Sequence, residues 1–358
     1  MAAPQMLSTK AMKYLHNYAL AIAKANGTFT ATDFFTIAPP RETMLRDAIM
    51  QTAAPFLALI NIMLVEQLVG QVISTGNPQL FTGRKKNGRF NRPLGISGNE
   101  YRLYEVDSGS TLDYATLTSW ANAGTENEFY QRLQAFFYKS IANDLLRVAF
   151  NGTHAAEGDT NPDTYPNGED VHPGWHQIVK ERSPKQIITD KVILNRETKG
   201  GDFISVDGVV ADIIYTCLPP EFRQNDDLVV LASQNIIAAD AVSMMNRIDR
   251  PSEKVAAAFM NREIAGRKAY SPPFMPDNRI IVTTLHNLHL YFQSGTQQRR
   301  SGWIDDRKSF ENNWLRMQCC AVEYDELYGA FDNIELAGLP EPKHEPDAEA
   351  EARAQQAA

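Results

Sequence analysis

The sequence predicts an α+β fold assembled around one unusually long helix, and three observations carry that expectation. Residues 125–150 hold an apolar face at helical spacing. After residue 175, helical and strand-like stretches follow one another without βαβ repetition, which disfavours a doubly wound sheet. Between Gly70 and Gly98 lie six glycines, two prolines and few apolar residues, too little core material for a segment inside a compact domain. At 358 residues, more than one packing unit is expected.

Taken in order, the elements begin with an amphipathic helix. Ser8 is its N-cap and Gly27 its stop, with Ala11, Leu15, Tyr18 and Ile22 on one face. Before Asp33 there is no acidic residue, only Lys10, Lys13 and Lys24, so this separable N-terminal arm admits three readings: an organelle-targeting peptide, a helix that docks on a partner and is later removed, or an ordinary surface helix. A second helix starts near Arg41, after Pro39–Pro40, and runs to about Ala54. The glycine-rich stretch carries the basic run Arg84, Lys85, Lys86, Arg89 and Arg92. It then returns through Tyr101, Leu103 and Glu105 alternating with Arg102, Tyr104 and Val106, the return strand of a long hairpin.

Thr125 with Glu128 forms a capping box. Phe129, Leu133, Phe136, Phe137, Ile141, Leu145 and Val148 continue one face until Asn151–Gly152, giving a strut of roughly 37 Å. Residues 153–175 form a loop rich in Asn, Asp, Gly and Pro. Ser205 caps a helix through Val209, Ile213, Ile214 and Leu218, and Ser233 caps one containing Ile236, Ile237 and Val242. Leu228–Leu231 and Ile280–Val282 read as buried strands, and further strands lie near Trp314–Val322 and Phe331–Leu336. From Glu341 the tail has five acidic and two basic residues among Ala, Pro and Gln, a composition expected to be disordered.

Composition excludes several function classes. A net charge of −8 disfavours a protein that coats nucleic acid tightly. Cys217, Cys319 and Cys320 give neither a disulfide framework nor a zinc spacing, so reduced thiols are expected. The first 30 residues lack an uninterrupted apolar core, and the most apolar window, 53–70, is broken by Pro55, Asn61 and Glu66. Neither a secretion signal nor a membrane span is expected.

Candidate chemistry is sparse. His154, His172 and His176 lie near Asp159, Asp163, Glu169 and Asp170, and a hydrolase using the His154–His176 loop is the enzyme reading to weigh. Their spacing matches no zinc pattern, and Pro173–Gly174 prevents a helix from presenting His172 and His176 together. His286 and His289 have the wrong parity to share a strand face and are expected to be structural. No phosphate loop, nucleophile elbow or dinucleotide fingerprint occurs. No catalysis, cofactor or metal is therefore expected. The basic run, with Phe90 interleaved, admits three readings: a solvated loop, a DNA contact, or a contact to a neighbouring subunit's carboxylates.

Several stretches, in one order, resemble the major capsid proteins of contractile-tailed temperate phages of the P-two type. They are Phe56–Val65, Ala149–Gly152, the loop through Asn161–Pro162 to Val171–Trp175, Asp227–Asp240, Gly266–Pro276, and Asn287 through Arg299–Arg300 to Asn312. The resemblance spans residues 35–338 and implies the Hong Kong 97-like shell fold. It also implies an arm at 1–34, possibly cleaved near residues 27–35 by a scaffold-associated protease, and a start of the body at 35–69. Residues 70–112 would be an extended loop, 113–152 a peripheral domain with the spine helix, and 153–280 an axial domain. Residues 281–338 would return to the peripheral domain, followed by a tail at 339–358.

The resemblance further implies a homo-oligomer of pentamers and hexamers, with a scaffolding protein or maturation protease, a portal and non-specifically held double-stranded DNA as partners. The expected place is the virion capsid, with assembly in the host cytoplasm. A bacterial cargo-enclosing nanocompartment of the same fold is the alternative shell. Lys85 and Lys86 lie where some relatives form Lys–Asn cross-links, but the P-two type implies none.

Overall fold

The computed structural model describes residues 6–53, 56–72, 82–91, 99–195, 201–238 and 263–337. Helix α1 (Thr9–Asn26) begins where the Ser8 hydroxyl accepts from the Ala11 amide and ends at Gly27, whose φ of 69° suits glycine. Its buried face, Ala11, Leu15, Tyr18, Ala19, Ile22 and Ala23, belongs to the main core. The segment that the sequence sets apart is thus docked on the body. After β1 (Phe35–Thr36), helix α2 (Pro39–Ala53) starts two residues ahead of Arg41, because both prolines fit the first turn, where a missing N–H costs nothing.

The apolar run from Phe56 splits into a 3-10 turn (Leu57–Leu59) and strand β2 (Asn61–Val65). Strands β3 (Val69–Val72) and β4 (Asn99–Arg102) pair antiparallel at the root of the expected hairpin. Strand β5 (Tyr104–Asp113) follows, then α3 (Tyr114–Asn122), capped by Asp113. Helix α4 (Glu126–Asn151) is the strut, and both halves of the Thr125–Glu128 capping box form. Helix α5 (Trp175–Arg182) leaves the loop that follows.

The remaining elements are β6 (Ile187–Ile188), β7 (Val192–Asn195), α6 (Val206–Thr216), β8 (Leu228–Ala232), β9 (Glu263–Ile264) and β10 (Arg267–Tyr270). They are followed by β11 (Ile280–Thr284), β12 (Leu288–Gln293), β13 (Gln298–Ile304), β14 (Ser309–Val322), β15 (Gly329–Phe331) and β16 (Ile334–Ala337). Ser205 caps α6 as expected, and the Ser233 hydroxyl accepts from the Ile236 amide; Val242 lies outside the described residues.

Two six-stranded sheets organise the molecule. In the first, β14 is the centre: β12 and β13 pair along one edge, β5 along the other, and β2 and β1 extend it beyond β12 and β13. The second runs β6-β15-β11-β8-β10-β9. Strand alternation gives this second sheet two different buried faces. Leu228, Val230, Ala232, Ile280 and Val282 meet α6, whereas Val229, Leu231 and Ile281 join the core around α4 and α5. The segment 281–338 divides accordingly: β12, β13 and β14 lie in the first sheet, β11 and β15 in the second, and β16 pairs with β7.

Candidate functional site

Three features could carry function: the histidine loop, the spine helix and the hairpin. In the loop the histidines do not converge. His154 is exposed, its Nδ1 2.9 Å from the Thr153 hydroxyl. His172 is buried, stacked on Tyr104, with Nε2 3.0 Å from the Gln318 amide nitrogen. His176, in the first turn of α5, is buried with Nδ1 3.2 Å from the Tyr328 hydroxyl and Nε2 3.3 Å from Asp332 Oδ1. No group of three metal-binding side chains occurs among the described residues.

The His176–Asp332 pair is one corner of a larger node. Arg279 donates to Asp332 at 2.7 Å and to the Phe150 carbonyl at 3.1 Å, and Lys180 reaches the second Asp332 oxygen at 2.8 Å. Burial alone would raise the Asp332 pKa. The contact with His176 and the charge of Arg279 outweigh it and hold the carboxyl well below the ordinary range. Sequence spacing gives no sign of this node, because its members come from α5, the residue before β11 and the residue after β15. It clamps the end of α4 and α5 onto the second sheet.

Burial pulls the pKa of His172 and of His176 down to about 4. An unfolded chain titrates these groups near pH 6.5, so between about pH 6.5 and 4 it binds more protons than the folded chain. Stability is therefore fully present above pH 6.5 and is lost as pH falls towards 4, by about 3 kcal/mol per histidine. Urea denaturation at pH 7 and pH 4.5 is expected to show the lower midpoint at pH 4.5. Glutamine at both positions should flatten the dependence in that window.

On α4, Phe129, Leu133, Phe137, Ile141 and Leu145 are buried as expected. Phe136 is not: it remains 40% exposed and meets the edge of Trp120. The buried stripe advances in steps of four and so winds around the helix, leaving Phe136 on its trailing side. Towards the C-terminus, Ala142, Leu145, Leu146, Val148, Ala149 and Phe150 are buried around most of the helix circumference.

At the hairpin root, Tyr101 lies across Gly70, where an added Cβ would sit 2.6 Å from the phenol oxygen, and its ring meets Tyr291 edge-on at 4.9 Å. Val72, Leu103, Tyr291, Cys319 and Ala321 form a small separate core there. At the tip, Arg84, Lys85, Lys86 and Arg89 are all exposed; Arg92 lies outside the described residues. Phe90 packs on Gly83, where a Cβ would meet its ring at 2.8 Å, so the tip is closed on itself.

Sequence reasoning passed over the outer face of the first sheet. Strand β5 alternates so that Glu105, Asp107, Thr111 and Asp113 are exposed while Leu112 is buried. That alternation was visible as period two, but its acidic side gained meaning only once β14 was found beside it.

Comparison with known proteins gives a consistent set. A family model described as "Phage major capsid protein, P2 family" matches residues 14–334. The capsid proteins of Escherichia phage P2 are 27% identical over 302 residues, covering 79% of this chain and 82% of theirs. The major capsid protein of Serratia phage KSP20 is 23% identical over 279 residues, covering 74% of this chain and 79% of its own. Among solved structures, a chain of the satellite phage P4 procapsid including size determination (Sid) protein is similar in fold, with a TM-score of 0.73 at 21% identity. The match covers 92% of this chain and 99% of that one.

Proposed function

The chain belongs to the P2 family of phage major capsid proteins, and from that premise we propose how it builds a head. It is a shell protein of a tailed phage and has the Hong Kong 97-like fold. Its capsomers are pentamers and hexamers, made by heterologous contacts that close under rotation. Residues 113–152 form the peripheral domain around the spine helix, residues 153–280 the bulk of the axial domain, and residues 70–112 the extended loop, whose hairpin outward of β5 is the arm that lies over a neighbour. Many modest contacts engaged together give a shell that corrects errors during growth yet holds when complete.

The single observation that carries this reading is the hairpin. Its root is paired and packed, whereas its tip presents four exposed cations. Such an element contributes little to the fold of its own chain and is suited to a neighbour.

A scaffolding protein, a maturation protease, a portal and packaged double-stranded DNA are the partners expected of such a shell. Cleavage of the arm would fall near residues 27–35, where Gly27, Phe29, Thr30, Asp33 and Phe34 are exposed. Release of α1 would then uncover the apolar surface that its six buried residues now cover on the body. The net charge of −8 suits a lining that leaves DNA mobile.

Negative-stain microscopy of the purified chain, alone and co-expressed with its scaffold, tests the reading. Closed shells without nucleic acid are expected. Assembly that depends strictly on DNA, or a chain that stays monomeric in both preparations, would contradict it.

A further inference from the structure

The outer face of the first sheet carries no described element of its own chain over β5, and its chemistry is specific. Glu105 and Asp107 are exposed on one face of β5, about 7 Å apart by strand geometry. Their register partners on β14 are Met317 and Leu315, both half-buried and on the same face. Between Arg102 and Arg132 the chain has five carboxylates and no lysine or arginine. Among the described residues, neither Glu105 nor Asp107 takes part in a salt bridge. The face is therefore acidic with an apolar floor.

The same chain carries the complement. The segment 82–91 has Arg84, Lys85, Lys86 and Arg89 exposed and no acid. Strand β4 leads from this tip into β5 with one intervening residue, Leu103, whose amide still pairs with the Leu68 carbonyl. The hairpin therefore departs from the first residue of β5, and the carboxylates lie beyond its root.

We infer that the basic tip of one copy docks on the Glu105–Asp107 stripe of a second copy. The inference rests on the shell reading and names the surface that receives the arm. Nucleic acid is the less favoured occupant of the tip. A net charge of −8 disfavours tight coating of duplex DNA, and the stacking rings by which single-strand binders hold bases are not offered by Phe90, which is folded onto Gly83. Each ion pair at such a rim contributes little, but like charges brought face to face cost far more, and repetition around the shell multiplies the effect.

A charge swap in the full-length chain tests this. Lys85→Glu/Lys86→Glu and Glu105→Lys/Asp107→Lys each place like charges together, and each is expected to lower the yield of closed shells about tenfold or more. The quadruple variant should restore the yield to within about twofold of wild type. Asp113 is left unchanged because it caps α3. Thermal unfolding of each free chain checks that the substitutions leave the fold intact.

Wild-type shells together with undiminished shells from either double variant would overturn the contact alone. So would a quadruple variant no better than the worse double. If the tip variant forms normal empty shells but fails to retain DNA, the tip serves nucleic acid and the contact is again overturned. Absence of shells from the wild-type chain would remove the shell reading and this contact with it.

Discussion

Asp332→Asn is expected to destabilise the free chain by about 3 kcal/mol, because it removes the carboxylate facing a largely buried guanidinium. The side chains of Arg279 and Asp332 are only 15% and 13% exposed. Asparagine keeps the shape of the side chain but leaves Arg279 with an uncompensated charge beneath the end of α4. Lys180, which touches the same carboxylate, is 41% exposed. Its replacement by alanine should cost no more than about 1 kcal/mol, as for other water-screened ion pairs. Denaturant midpoints of the two variants, measured side by side at pH 7, check the contrast. Equal losses would mean that the node is a surface ion pair rather than the clamp between α4 and the second sheet.

Gly152→Ala has a comparable expected effect through a different mechanism. Gly152 ends the spine helix, and Gly174 closes the loop by donating its amide to the Gly152 carbonyl at 3.0 Å. A Cβ on Gly152 would fall within the van der Waals shell of the His172 carbonyl oxygen and would lie 2.7 Å from the Val148 oxygen and 2.9 Å from the Gly174 nitrogen. These are backbone atoms and cannot swing aside as a flexible side chain would. The loop ends must separate, at a cost of about 3 kcal/mol, and shells should be lost with them. Gly158→Ala, where an added Cβ meets nothing within 4 Å, is the matched control and should behave as wild type. The comparison is read as soluble yield and unfolding temperature.

The closeness at Gly152 explains what was and was not legible in the sequence. Local signals were clear wherever one segment determines its own structure. Ser8 and Gly27 bracket α1, Thr125 and Glu128 start α4, and alternation through Tyr101–Val106 marks the hairpin's return. The apolar run Leu228–Leu231 is a strand buried on both faces because a layer lies on each side of it.

Long-range geometry was not legible. Strand β2 pairs in parallel with β12 more than two hundred residues later, and nothing local specifies that partner. Helix α1 carries the composition of a detachable arm, yet its apolar face completes the main core through Tyr14 against Phe129 and Tyr18 against Phe310. An amphipathic pattern shows that a face will be covered, not by which surface. Phe136 illustrates the same limit within one helix, since the winding of the buried stripe is set by the neighbours that α4 meets. The candidate surface was half visible: the basic run at 84–89 could be read directly, whereas the acidic side of β5 required knowledge of which edge of β14 it occupies.

The most direct test of the account is a reconstruction of the assembled particle at side-chain resolution. Density for residues 82–91 is expected over the first sheet of an adjacent subunit, with β3 and β4 paired at the root. Density for the same segment folded back on its own β5, in particles that still close, would contradict it.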